Sequence, residues 1–233
     1  MIQVKNVFQE HKEEINLFFC FLEEVIKHDA RLLIDPPTNT VRTIKVETTA
    51  IIKSSFFLML YNCVESTVTN CLNTIINTIK AEGCKYPSLQ DKLQVAALAA
   101  YDYQLKECGS KDKRNEILKR QTDFVTGLST IHIDIKSLVG SSSQGSFSGS
   151  LDAREIRKLF GRVGIDLSDL QCDEMKKIKE CRNKLAHGEY SFQEYGRNLS
   201  IQYLQTSKDN TLAFLEELID KVDNYLNAKL YKR

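Results

Sequence analysis

The residues with the clearest chemical potential are an arginine, an asparagine and a histidine in one short segment near the carboxyl end of the chain. Arg182, Asn183 and His187 lie in the run RNKLAHG. An imidazole titrates near neutrality and can move protons, whereas a guanidinium can hold a phosphate that gains negative charge as it reacts. An amide can position either group by hydrogen bonding. These residue types fit phosphoryl transfer that needs no metal ion.

A helical wheel places the three residues on neighbouring stripes of one helix. At about 100° per residue, Arg182 falls within an apolar stripe composed of Met175, Ile178, Cys181 and Leu185. The adjoining stripe is polar and contains Lys176, Lys179, Asn183 and His187. Residues three and four apart face the same way, so polar and basic groups converge beside Arg182. The helix therefore presents an edge that could receive an anion, with Lys179 in a supporting position.

Purely structural roles are open for each of these side chains. His187 could interact only with the last carbonyls of its helix, and Arg182 could pair with an acid at the edge of the core. Asn183 could hydrogen-bond a helix end. An arginine five places before a histidine is expected by chance in about one such sequence in six. The surrounding sequence, and not the spacing alone, must therefore distinguish a functional motif from a chance one.

Two further charged features could support such a site. On the wheel of a long apolar segment Glu65 lies near Tyr61, so its carboxylate could point partly inward and orient Arg182 or His187. An exposed or locally paired carboxylate fits the sequence equally well. The run KDKRNEILKR, residues 111–120, could contact RNA phosphates, but its interspersed acids favour a solvated helix face.

Periodic apolar residues predict the helices that would position these groups. An amphipathic helix is predicted over about 7–28, a much longer one over about 44–81 that stops before Gly83, and a third over about 88–108. The pattern near 121–135 is ambiguous between a helix end and an extended piece. The predicted fold class is all-α, a helical bundle of about five or more helices with a long central helix.

Two capping signals and an amphipathic pattern predict three more helices in the second half of the chain. The pairs that would open the first two are Asp152 with Glu155 and Ser168 with Gln171. The second of these helices carries the RNKLAHG run and should stop at Gly188, which can adopt a left-handed conformation. A last amphipathic helix is predicted over about 199–230.

Composition favours one helical globular domain and no global attraction to nucleic acid. The 233 residues include only three Pro and ten Gly, and the formal net charge is +1. Contact with nucleic acid must therefore come from a local cationic patch. We expect a single domain over 1–233, with a flexible loop at about 138–151 where glycine and serine dominate.

Cysteine usage and hydropathy indicate a cytoplasmic protein. The seven cysteines form no CxxC pair and mostly fall in apolar helical pattern, so we expect buried thiols rather than disulfides or zinc ligands. No apolar run is long enough to span a bilayer, and the amino terminus mixes charges with apolar residues. No cofactor, metal ion or membrane is expected to take part.

The sequence around the arginine and histidine resembles the HEPN superfamily, whose small helical bundles commonly dimerise. RNKLAHG is similar to its Arg-x4-6-His motif, and the flanks FSGSLDAREIRKLFGRVGIDLSDL and EYSFQEYGRNLS are similar to a prokaryotic group, the MAE and RiboL-PSP-like proteins. The likeness is specific over about 146–225. Before residue 146 it is carried by helix placement and by the segment YNCVES, residues 61–66.

The resemblance implies cleavage of RNA through the neighbouring 2′-hydroxyl, with Arg182, Asn183 and His187 as catalytic residues and Glu65 in support. It further implies a homodimer with one motif helix from each protomer at a shared cleft. A toxin or defence effector of a microbial cell fits this activity, with a separate antitoxin or nucleotidyltransferase as a further partner. The alternative function is a non-catalytic HEPN dimer that binds RNA, a nucleotide or a partner protein and keeps the motif for packing.

Overall fold

Helices dominate the structure, a computed structural model that describes residues 1–27, 30–130 and 151–233. The described helices are α1 (Ile2–Lys27), α2 (Val46–Ala81), α3 (Asp91–Glu107), α4 (Lys111–Val125), α5 (Ala153–Arg162), α6 (Glu174–Ala186), α7 (Phe192–Arg197) and α8 (Ile201–Asn227). A short 3-10 turn, Tyr86–Ser88, precedes α3. One antiparallel hairpin joins β1 (Arg31–Asp35) to β2 (Thr40–Thr43). The predicted all-α fold class is confirmed.

Several predicted helix boundaries are confirmed with their physical cause. The long helix is α2, with 36 residues, and Gly83 follows it with a φ of 64° that suits glycine. The side chain of Asp152 accepts a hydrogen bond of 3.0 Å from the backbone N–H of Glu155, which caps the start of α5. Residues 111–120 form a mostly exposed part of α4, as the charge pattern predicts.

The predicted start of the motif helix is wrong. Ser168 and Gln171 do not open α6, which begins at Glu174. The backbone N–H of Ser168 instead donates to the side chain of Asp166 over 2.9 Å, and the Gln171 amide donates to the Ser168 carbonyl over 3.2 Å. Short polar side chains that bond nearby backbone groups stabilise turns, and this local alternative prevails over the capping pattern.

Two elements were not predicted, and one prediction falls outside the described residues. The hairpin lies between the first two predicted helices, where the sequence predicts no regular element, and α7 lies in the EYSFQEYGRN segment without a predicted helix of its own. The ambiguous segment after residue 120 is helical up to Val125. The flexible loop predicted at about 138–151 lies outside the described residues up to residue 150.

The described chain divides into two compact units, and the first comprises Met1–Val4, Thr67–Gln171 and Glu216–Arg233. A buried polar network helps to hold it together. The Gln90 amide donates to the Val163 carbonyl over 2.8 Å and to the Tyr225 hydroxyl over 2.7 Å. That hydroxyl donates in turn to the Val163 carbonyl over 2.7 Å. Because the polar groups satisfy one another, the tyrosine can be buried at little cost.

The second unit comprises Lys5–Ser66 and Cys172–Leu215 and contains every residue of the predicted site. Its core includes packed aromatic rings: Phe19 lies 5.5 Å from Phe56, with an interplanar angle of 47°. Phe57 meets Tyr203 edge to face at 6.1 Å. Burial of such large rings stabilises a core by several kcal/mol, which fixes α2 as the support for the helices that follow Cys172.

The structure bears on two expectations, the absence of membrane-spanning helices and the burial of the cysteines. None of the described helices combines the length and the apolarity needed to cross a bilayer. Five of the seven cysteines, Cys63, Cys71, Cys84, Cys172 and Cys181, are buried free thiols as predicted, whereas Cys20 is exposed and Cys108 is half-buried.

A glycine allows α7 to lie directly against the first turns of α2. A Cβ atom at Gly196 would stand 1.8 Å from the carbonyl oxygen of Ala50 and 2.6 Å from its carbonyl carbon. Beside this contact the Ser54 hydroxyl donates to the Phe192 carbonyl over 2.8 Å. Backbone atoms cannot move aside as a flexible side chain can, so only glycine fits. The contact sets where the chain goes after α6.

Substituting Gly196→Ala should therefore lower the free energy of unfolding by about 2 kcal/mol or more, because a backbone shift has to make room for the methyl group. Gly161→Ala is the matched control: no atom lies within 4 Å of a Cβ there, and α5 should gain up to about 1 kcal/mol from better helix propensity. Urea denaturation of both variants measures the difference. Equal stability of the two would contradict the packing described here.

Candidate active site

The motif helix α6 is anchored by three buried residues on one stripe. Met175, Ile178 and Cys181 are at most 1% exposed, as the wheel predicts. At the start of the helix, the Glu174 carboxylate accepts a hydrogen bond of 3.0 Å from the Asn210 amide. The next residue on the buried side, Arg182, is half-buried. The apolar stripe thus carries a charged group at its edge.

The carboxyl end of α6 has the cap that the sequence predicts. Gly188 adopts a φ of 69°, and its N–H donates to the Leu185 carbonyl over 3.2 Å, while the N–H of Glu189 donates to the Lys184 carbonyl over 2.9 Å. This pair of bonds is the Schellman arrangement, which ends a helix. His187 is the last residue before the glycine, and its side chain is exposed. The imidazole is therefore open to a ligand from solvent.

Arg182 is held between an aromatic ring and an amide. Its guanidinium carbon lies 5.5 Å from the centre of the Tyr61 ring, and its Nη1 donates to Oδ1 of Asn183 over 3.3 Å. Within the described part of the chain, no carboxylate forms an ion pair with it. A guanidinium has five N–H donors, so this arrangement orients the group and leaves donors for an external acceptor.

The remaining predicted residues do not share the hydrogen bond between Arg182 and Asn183. Lys179, one turn before Asn183, is half-buried, and so is Glu65, one turn after Tyr61. In the described residues no hydrogen bond or ion pair joins Glu65 to Arg182, Asn183 or His187. Arg182 and His187 lie about 140° apart around the axis of the same helix. The structure thus joins Arg182 to Asn183 by a hydrogen bond, and among the described residues no hydrogen bond or ion pair links the side chain of His187 or Glu65 to this pair.

An aromatic and cationic cluster follows the motif and was not predicted. The ammonium of Lys184 lies 5.0 Å from the centre of the Tyr190 ring, and that ring meets Tyr195 edge to face at 6.3 Å. The Tyr195 hydroxyl donates to the Lys177 carbonyl over 3.3 Å, and burial raises the pKa of this phenol. The tyrosines of EYSFQEY, which directly follow the helix cap, were the available signal. The cluster fixes the turn that holds His187 at the surface.

Local charge supplies the cationic patch that the chain as a whole lacks. The helix α6 carries five cationic and two acidic side chains in 13 residues. The ammonium of Lys177 lies 4.7 Å from the centre of the Tyr203 ring, so part of this charge is held in place. A polyanion would meet a locally positive surface here despite the near-neutral chain.

The thiol beside Arg182 is not suited to nucleophilic chemistry. Cys181 is fully buried, and desolvation raises its pKa to about 12. Burial likewise raises the pKa of Cys172 to about 11. Because the thiolate is the reactive form, both groups stay protonated and unreactive near neutral pH. In the described residues no three His, Cys, Asp or Glu side chains are grouped to hold a metal ion.

Alkylation should therefore discriminate sharply among the cysteines. At neutral pH we expect iodoacetamide to modify the exposed Cys20 first and to leave Cys172 and Cys181 unmodified while the protein is folded. Peptide mass spectrometry over time measures each rate, and the same reaction in denaturant gives the rate for accessible thiols. Modification of Cys181 as fast as Cys20 in the folded protein would show that the core beside Arg182 is open.

Comparison with known proteins gives one match. The family model described as MAE_28990-like HEPN matches residues 3–231, which is almost the entire chain. No protein with a curated description and no solved structure matches it significantly. A HEPN assignment points to a nucleotide-binding or ribonuclease-like module.

Proposed function

The chain belongs to the MAE_28990-like HEPN family, and we propose that it is a metal-independent endoribonuclease. Arg182, Asn183 and His187 are its catalytic residues. The observation that supports this most strongly is the guanidinium of Arg182, half-buried, oriented by Tyr61 and Asn183, and without a carboxylate partner in the described residues.

A structural arginine at the edge of a core is normally neutralised by an acid, because removing a charge from water is costly. Arg182 has an aromatic face and an amide oxygen in place of that acid. A ring and an amide hold the group in one orientation without cancelling its charge. A phosphate oxygen can complete the arrangement, and an oriented cation stabilises most strongly the charge that develops during the reaction.

The proposed reaction is an internal displacement at phosphorus. The 2′-hydroxyl of a ribose attacks the adjacent phosphate, the bond to the 5′-oxygen breaks, and a 2′,3′-cyclic phosphate forms. The proton lost by the 2′-hydroxyl is balanced by one gained by the 5′-oxygen, so the reaction consumes no water and its proton transfers require no metal ion. His187 exchanges one of these protons, Arg182 stabilises the phosphorane, and Asn183 positions Arg182 through its Oδ1 atom.

Two protomers are needed for this scheme. Arg182 and His187 point about 140° apart on one helix, so one phosphate is more easily reached by the arginine of one protomer and the histidine of the other. A homodimer with the two α6 helices at a shared cleft supplies both residues twice. Lys179 and Glu65 then serve as supporting charges at the edges of the cleft. We place this activity in a cytoplasmic toxin or defence effector, regulated by a separate antitoxin or nucleotidyltransferase.

His187→Ala and Arg182→Ala should each abolish cleavage while leaving helicity and dimerisation nearly intact, because neither change empties a large apolar site. The assay is incubation of purified protein with unstructured and structured RNA in EDTA, with analysis of product ends for cyclic phosphate. Arg197→Ala is the matched control, since Arg197 is exposed at the end of α7 and should be dispensable.

Full activity in purified His187→Ala protein, with contaminating nuclease excluded, would end the catalytic interpretation. The same conclusion follows if wild-type protein binds RNA without cleaving it. The non-catalytic HEPN dimer, which binds RNA, a nucleotide or a partner protein, is then the remaining function.

The ring beneath Arg182 gives a separate prediction about positioning. Tyr61→Phe keeps an aromatic face and should retain most activity, whereas Tyr61→Leu should lower kcat about tenfold with a smaller change in KM, because the guanidinium loses its orientation. Phe56→Leu removes an equally buried ring of α2 that packs against Phe18 and Phe19 of α1, and it controls for loss of packing. Equal loss of kcat in the two leucine variants would assign Tyr61 a merely structural role.

A further inference from the structure

In the part of the chain that the structure describes, the β-hairpin exposes apolar side chains to solvent. Leu33 lies opposite Val41 in the antiparallel register, and these residues are 53% and 51% exposed. Leu32 and Ile34 are similarly exposed, and Asp35 alone among the strand residues is half-buried. In the described residues the sheet has two strands. A two-stranded sheet in water is marginally stable, and an open edge with apolar residues favours pairing with another strand.

The sequence of β1 is self-complementary when it is reversed. It reads Arg-Leu-Leu-Ile-Asp over residues 31–35, with a cation at one end, an anion at the other and three apolar residues between them. Placed antiparallel to an identical strand about Leu33, each arginine meets an aspartate and each Leu32 meets an Ile34. Opposite charges and apolar pairs in register stabilise neighbouring strands, whereas like charges placed directly opposite each other destabilise them.

We propose that β1 pairs antiparallel with β1 of a second copy of this chain, about a twofold axis at Leu33, and forms a four-stranded sheet. Arg31 then lies opposite the partner's Asp35, and Asp35 opposite the partner's Arg31. Both protomers present the same surface, as a closed dimer requires. This pairing is independent of the proposed RNA cleavage.

The pairing also completes contacts that the single hairpin leaves incomplete. The register shifts between Leu33 and Asp35, so Ile34 has no counterpart on β2. In the four-stranded sheet it gains the partner's Leu32 as a cross-strand neighbour. On the opposite face Leu33 and Val41 of both protomers form one apolar row across four strands, because directly opposed residues share a face.

Disulfide trapping tests the proposal because it detects one local distance, whichever other surfaces dimerise. In a Cys20→Ser, Cys108→Ser background, Leu33→Cys should form a disulfide-linked dimer under mild oxidation. Opposed residues in antiparallel strands have Cα atoms about 4.5 or 5.5 Å apart, and both separations permit a disulfide. Val41→Cys is the control on the same face, since its partner would lie about three strand spacings away, roughly 14 Å.

A charge swap makes the test specific for the register. With Leu33→Cys present, Arg31→Asp puts two carboxylates opposite each other and should lower the trapping rate about tenfold. Adding Asp35→Arg should restore most of it, and Arg42→Asp, the same charge change on β2, should have little effect. Equal disulfide formation at positions 33 and 41 would overturn the proposal. So would a rate of disulfide formation that does not change with the charges at positions 31 and 35. RNA cleavage measured on the same variants reports separately on the proposed function.

Discussion

The contact between the Arg182 guanidinium and the Tyr61 ring is the interaction on which the account of the site depends. It joins the motif helix to α2, and it does so through a group that keeps its positive charge. A salt bridge would have held the arginine equally well but would have cancelled the charge that the proposed contact with phosphate requires. An aromatic face orients a cation through a modest attraction, on the order of 1 kcal/mol, and leaves its positive charge in place.

The elements around this contact can be understood as its supports. Buried Met175, Ile178 and Cys181 set the rotation of α6, which places Arg182 at the edge of the core and His187 in solvent. Gly188 ends the helix directly after the histidine. Gly196 then lets α7 approach the backbone of Ala50, so the chain after the motif returns to the same helix α2 that carries Tyr61. Packing and helix termination together determine which donors reach solvent.

Much of this could be predicted from the sequence because helix periodicity is a strong local signal. The placement of Arg182 within an apolar stripe, the end of α6 at Gly188 and the cap at Asp152 all follow from spacing within a few residues. The sequence places the Tyr61 ring near Glu65 but does not predict its contact with Arg182, because that contact joins residues far apart in the chain. The prediction that Ser168 opens α6 is wrong because the same polar side chains that cap helices also stabilise turns.

The hairpin shows a different limit. RLLID and TVRT flank a Pro-Pro turn, yet short apolar strands resemble interruptions between helices unless their pairing is considered. Pairing with a second chain does not follow from the pattern of one sequence, either for the hairpin or for the motif helix. In the proposed activity, Arg182 and His187 form one site only with a second α6 helix, because they face different directions on their own helix.

Complementation between two inactive variants tests most directly whether the site is shared between two protomers. Arg182→Ala and His187→Ala proteins are mixed under conditions in which subunit exchange is verified, and RNA cleavage is followed in EDTA. If one phosphate is served by the arginine of one protomer and the histidine of the other, half of the dimers regain one of two sites. The mixture should then recover about a quarter of wild-type activity. No recovery in a mixture shown to contain heterodimers would contradict a site shared between protomers.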